Sequence, residues 1–172
     1  MIIWGFLKMN LEEFDLEDLL LSAIKSEMES REVYIYMAGK AINGLLQDKL
    51  EFLAKEEEKH RLYIEGIYRK KFNRKKINIP SESPVPIPFV SYKNENVPLS
   101  KILKNAMESE KAASDFYKSL SDKFTKNPEI KNTLIYFSDM EMQHYKILEM
   151  EKESMERFEE GDVYWPMVHA GP

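Results

Sequence analysis

Four stretches of this chain repeat apolar residues at alternating steps of three and four, the spacing that lines up one side of an α-helix. Each stripe is interrupted near its middle by a glutamate. Leu20, Ala23, Glu27, Ser30, Tyr34, Met37 and Ala41 mark the first, and Leu46, Leu50, Leu53, Glu57, His60, Ile64 and Ile67 the second. Leu103, Ala106, Glu110, Ala113, Tyr117, Leu120 and Phe124 mark the third, and Ile130, Leu134, Phe137, Glu141, His144 and Leu148 the fourth. The stripes predict helices over about 15–42, 45–72, 98–125 and 128–159 and an all-α fold.

End signals agree with these limits. Asp15 with Asp18 reads as an N-cap followed by an acidic first turn, and Gly44 stands where the first helix would stop. Asn127-Pro128-Glu129 combines a capping residue with proline at the first helical position. The first two helices, and the last two, are joined by short turns. Between the second and third lies a crossover, about 73–97, in a stretch holding five of the eight prolines, so it cannot be helical throughout. A connection of that length can run along a bundle, which predicts an up-down-down-up four-helix bundle as one domain over 15–160. Residues 1–14 are then an apolar N-terminal segment, read as mature protein, and 161–172 a C-terminal tail.

The chain also repeats. Ser26, Glu27 and Tyr34 recur 83 places later as Ser109, Glu110 and Tyr117, while Glu57 and His60 recur 84 places later as Glu141 and His144. Two helical hairpins look like copies of one another.

All four glutamates and both histidines fall on inward stripes. One unpaired buried carboxylate costs several kcal/mol, and four together repel, so they must take up protons or enclose positive charge. No lysine or arginine lies on the stripes near them. That leaves metal ions. Residues three apart share a helix face, so Glu57 with His60, and Glu141 with His144, can each offer oxygen and nitrogen to one ion. Glu27 and Glu110 are then expected to bridge two ions. A single E-x-x-H is weak, and surface pairs on glutamate-rich helices are its ordinary explanation. Two in register, with carboxylate partners on the other two helices, are specific.

Composition narrows the chemistry. With no cysteine, any metal here is held by oxygen and imidazole, and thiolate or iron–sulfur sites are excluded from this sequence. A net charge of -5 argues against nucleic acid and acidic membranes as partners. No apolar run reaches the 18 or so residues of a membrane span, and a cytoplasmic location is expected.

Four carboxylates and two imidazoles form the ligand set of the ferritin-like di-iron and di-manganese bundles. Over about residues 15–159 the chain resembles that superfamily, and most of all its rubrerythrin branch. The resemblance is carried by "SEMESREVYIYMA", "LAKEEEKH", "MESEKAASDFY" and "DMEMQH". It implies two iron ions, with manganese or zinc as alternatives, held by Glu27, Glu57, His60, Glu110, Glu141 and His144. It implies a supporting role for Tyr34 and Tyr117, hydrogen-bonded to ligand carboxylates, the other reading being plain core aromatics. The activity it implies is oxidation of ferrous iron by peroxide or dioxygen. Ferroxidase chemistry for storage or detoxification, and a bundle merely stapled by metal, are the alternatives.

Two departures stand out. Rubrerythrins carry a cysteine-ligated iron centre, absent from this sequence, so the electrons are expected from an external donor such as a separate rubredoxin-like protein. They also carry an extra glutamate three residues after the third-helix ligand, where this chain has Ala113. Other positions read less sharply. Glu56 could orient a facing imidazole or simply be solvated, and His169 reads as a surface residue. The basic run Arg69 to Lys76 suits a helix C-terminus, with docking of an acidic electron carrier as the alternative. A homodimer is compatible with all of this.

Overall fold

The computed structural model describes residues 11–41, 43–73, 76–83, 85, 90 and 97–161, without the side chains of 158–161. The N-terminal residues 1–10, much of the crossover, and the tail with His169 lie outside the described residues. Four helices form the body: α1 (Leu16–Lys40), α2 (Gly44–Lys71), α3 (Leu99–Ser121) and α4 (Pro128–Gly161). Short 3-10 turns precede α1 at Leu11–Glu13 and follow α3 at Asp122–Phe124. There is no strand among the described residues.

The helix starts are capped by side chains that satisfy backbone N–H groups left free in a first turn. Asp15 accepts from Asp18 N at 2.8 Å, Asn43 from Leu46 N at 2.8 Å and Asn127 from Ile130 N at 3.2 Å. Gly44 is therefore not a helix stop. It is the first residue of α2, because the Asn43 carboxamide starts the new helix directly before it. The third helix ends at Ser121, earlier than its stripe suggests, since its last turn tightens into the 3-10 segment that still buries Phe124. Past α2, Asn73 adopts φ 48°, the left-handed conformation that asparagine tolerates after a helix end.

Cross-helix pairs give the winding. Tyr68 donates to Glu17 and Arg31 pairs with Glu58, so α1 and α2 are antiparallel. Ser114 with Ser138, and Lys131 with Asp122, make α3 and α4 antiparallel. Tyr34 reaches Glu110 and Tyr117 reaches Glu27, so α3 also runs against α1. The order is up-down-down-up.

A crossover must then travel the length of the bundle. Val85 is fully buried in the core half that holds Ile24, Ile64, Phe116 and Leu120, whereas Val90 packs in the half built from Met37, Leu46, Leu50 and Leu103. The Val85 N–H donates to Ser22 Oγ at 3.3 Å, which ties the strap to α1. Burying each of these Leu or Ile side chains contributes about 1.5–3 kcal/mol. Between the two apolar halves lies a polar layer. Glu27, Glu57, His60, Glu110, Glu141 and His144 all fall in it, each 1–3% exposed.

Candidate metal centre

Position along each helix produces this layer. Glu57 and His60 stand between Leu53 of one core half and Ile64 of the other, and Glu141 and His144 occupy the equivalent places on α4. A three-residue step turns the helix by about 300°, which keeps each glutamate and its histidine on one face. All six expected ligands come together.

The geometry is nearly two-fold. His60 Nδ1 lies 3.0 Å from Glu141 Oε1, 3.7 Å from Glu27 Oε2 and 3.9 Å from Glu57 Oε2. His144 Nδ1 lies 3.0 Å from Glu57 Oε1, 3.0 Å from Glu141 Oε2 and 3.5 Å from Glu110 Oε2. Two groups of four result, Glu27–Glu57–His60–Glu141 and Glu57–Glu110–Glu141–His144, each with one donor atom per residue and all four atoms within 4.8 Å of one another.

The expectation that Glu27 and Glu110 span both positions is corrected here. Glu57 and Glu141 are the members common to the two groups. The reason is the tyrosines. Tyr117 donates to Oε1 of Glu27 and Tyr34 to Oε1 of Glu110, so each of those carboxylates keeps one oxygen for the centre. Glu57 and Glu141 instead direct one oxygen toward each histidine. The tyrosines therefore act crosswise, each supporting the glutamate of the other hairpin.

Several of these atoms make no hydrogen bond although fully buried: Glu27 Oε2, Glu57 Oε1, both Glu141 oxygens and Nδ1 of both histidines. They approach one another without donor–acceptor alignment. Lone pairs aimed at a shared space, and left without partners there, fit bound cations better than a finished hydrogen-bond network. A set of four carboxylates and two imidazoles suits iron, manganese or zinc.

Electrostatics show the strain of leaving the cluster to protons. Burial, followed by the charges of Glu141 and Glu27, pushes Glu57 well above the usual carboxylate range. Burial and Glu141 raise Glu110 to about 8 against the lowering effect of His144. Burial favours neutral His60, but the adjacent carboxylates of Glu141 and Glu27 outweigh it and lift the imidazole to about 10. His144 is raised too, burial being overcome by Glu110, Glu141 and Glu57. Glu141 goes the other way: burial opposes its charge, yet His144 and His60 hold it far below the ordinary value.

The less sharp positions resolve as follows. Glu56 is buried, but its carboxylate is taken up by the exposed Lys59 on its own helix. Arg69, Lys70 and Lys71 form the last turn of α2, where cations suit the helix dipole, and Lys71 Nζ lies 5.5 Å from the Phe124 ring centroid. Arg74 and Lys75 lie outside the described residues. Phe137, which its stripe presents only as a core residue, stacks on His60 with ring centroids 4.1 Å apart. Its place four before Glu141 was the available signal.

The Rubrerythrin family model matches residues 18–152, which contain all six cluster residues and both tyrosines. Among solved structures, a hypothetical protein from Pyrococcus furiosus is similar, with 31% identity over 90% of this chain and 98% of that one, and a TM-score of 0.75. No curated protein matches. No helix among the described residues is long and apolar enough to cross a membrane.

Proposed function

The chain belongs to the rubrerythrin family, and on that premise we propose that its buried cluster holds two iron ions with which it reduces peroxide or dioxygen. The observation that carries this reading is the pair of overlapping four-residue groups, several of whose buried donor atoms have no hydrogen-bond partner. Ferrous ions held there supply one electron each and act as Lewis acids, which matches the two-electron demand of peroxide.

The protein's part is positioning. Glu57 and Glu141 offer an oxygen to each of the two positions and so set their separation. His60 and His144 each complete one position. Tyr34 and Tyr117 fix the orientation of Glu110 and Glu27, so the single oxygen that each leaves free points inward. The apolar halves above and below keep bulk water from the layer, which strengthens every charge interaction inside it. Reducing equivalents come from a separate protein or a small reductant.

Metal analysis of anaerobically purified protein, then stopped-flow spectra on mixing with peroxide, tests the proposal. Two ferrous ions per chain, oxidised on mixing, and steady peroxide consumption once a reductant is supplied are the expected results. Iron-loaded protein that does not turn over peroxide or dioxygen overturns it. Light scattering that reveals a closed multi-subunit cage would redirect the reading toward iron storage.

A further inference from the structure

The internal repeat fails around the two histidines in one respect. On the His60 side, aromatic rings are contiguous. Phe137 lies against His60 at 4.1 Å between centroids, Tyr117 meets Phe137 edge-on at 5.6 Å and Tyr63 meets it edge-on at 5.3 Å. Tyr136, at 6.4 Å from Phe137, carries the series to the surface, where it is 58% exposed. At the positions related by the repeat, Phe137 becomes Leu53, Tyr63 becomes Ile147 and Phe116 becomes Val33, whereas Tyr117 has its counterpart in Tyr34 and Tyr136 in Phe52, which is not a phenol. Among the described residues, the only ring against His144 is that of His60.

Leucine fills the equivalent place in the other half, where Leu53 is fully buried, so the layer does not require a ring at this position. The difference has a redox consequence. A phenol gives up one electron far more readily than a phenylalanine or a neutral imidazole, and electron transfer weakens steeply with distance. Phe137 is too hard to oxidise to hold the missing electron, but it fills the gap between His60 and the two phenols.

We infer that Tyr63 and Tyr136, joined to His60 through Phe137, form a one-electron relay between the His60 half of the centre and the surface; the inference rests on the di-iron reading above. The relay matters when only one ferrous ion is available. Peroxide takes two electrons and two protons to give two molecules of water. A ferrous ion held at the centre would supply one electron. A tyrosine supplies the other together with its phenolic proton and becomes a neutral phenoxyl radical, and the second proton comes from solvent. A thiol or other one-electron reductant meeting the exposed Tyr136 returns the electron and proton. The other half has Tyr34 at Glu110 but no ring in the place of Phe137, where Leu53 stands, so a continuous aromatic path from a histidine to the surface is found on the His60 side.

The test uses the full chain loaded anaerobically with about one ferrous ion per chain, mixed with peroxide in the presence of a nitroso spin trap. Freeze-quenched samples are read by electron paramagnetic resonance and trapped sites are mapped by peptide mass spectrometry. The inference expects a phenoxyl signal with adducts on Tyr136 and Tyr63. Tyr136→Phe combined with Tyr63→Phe should lower the signal several-fold while the metal count stays at two under saturating iron. Phe137→Leu, which imports the residue of the other half, should lower it as well. Ferrous oxidation with adducts confined to Tyr34, Tyr117 or the distant Tyr36 overturns the relay and leaves the di-iron reading standing. Iron that is neither bound nor oxidised overturns both.

Discussion

Tyr117 of α3 donates its phenolic hydrogen to Glu27 of α1, the carboxylate that helps form the His60 half of the cluster. Tyr34 does the same for Glu110 on the other side. Each phenol thus orients a glutamate it does not share a helix with. Removing either hydroxyl should loosen one ion position and leave the other. Tyr117→Phe is expected to weaken one of the two ions by roughly tenfold to a hundredfold, with full occupancy recovered at high metal. Anaerobic titration with ferrous or manganous ion checks this. Two unchanged affinities would reduce the tyrosines to core aromatics.

Three adjacent glutamates on α2 provide an internal control. Glu57 belongs to both four-residue groups, Glu56 pairs with Lys59, and Glu58 is held by Arg61 at 2.6 Å. Glu57→Ala should abolish tight binding of at least one ion and all peroxide turnover. Glu58→Ala should retain two ions, and so should Glu56→Ala. The second hairpin repeats the contrast with Glu141→Ala against Gln143→Ala. Metal counts per chain decide the matter, and equal occupancy in Glu57→Ala and Glu58→Ala would mean that the inward face is misassigned.

Metal-free protein should lose stability as the solution becomes alkaline. Glu110 titrates near 8 instead of 4.5, and His60 near 10 instead of 6.5, so both bind a proton more tightly when folded. Stability from a raised pKa is fully present below the unfolded value and is lost as pH rises to the folded one. The windows are therefore 4.5 to about 8 for Glu110 and 6.5 to about 10 for His60. Glu141, whose carboxyl is held down by the two imidazoles, acts in the opposite sense and loses its contribution on acidification below its ordinary 4.5. Denaturant midpoints should fall from about pH 5 to pH 9 in the apoprotein and much less in the metal-loaded form. A midpoint that climbs steadily over that range would contradict the clustered carboxylates.

Loading should expel protons. Near neutral pH Glu110, His60 and His144 favour their protonated forms, Glu57 is shifted in the same direction, and ligation requires carboxylate and neutral imidazole. Net proton release of about one or more per ion is expected, measured as the dependence of the calorimetric binding heat on buffer ionisation enthalpy. Uptake of metal with no proton release would show that the groups are already ionised.

The residues that disclosed themselves in the sequence are those whose chemistry clashes with their periodicity. Glu27, Glu57, Glu110 and Glu141 occupy places where leucine is expected, and that anomaly survives without coordinates. What stayed hidden depends on distances between helices. Tyr34 is seven residues from Glu27 on the same helix, which suggests a local role, but the opposite direction of α3 brings it to Glu110 instead. For the same reason the identity of the carboxylates shared by the two groups could not be read from spacing. It follows from which oxygens the phenols occupy. Gly44 was ambiguous because glycine marks helix ends and tolerates starts, and only the Asn43 cap distinguishes them. The aromatic bias toward His60 lay in the sequence as Phe137 against Leu53, but it carries meaning only once the ring is seen to lie against His60 of the cluster.

The ion positions are not properties of either hairpin. The first draws Glu27, Glu57 and His60 from one hairpin and Glu141 from the other, and the second reverses that division. The single covalent link between the halves is the strap that Ser22 tethers through Val85. A chain severed in that strap therefore gives two fragments that are incomplete alone and complementary together, each bringing three of every four donors to one ion and one to its neighbour. Reassembly of such fragments becomes a chelation reaction, and metal acts as the fastener that the peptide bond otherwise supplies.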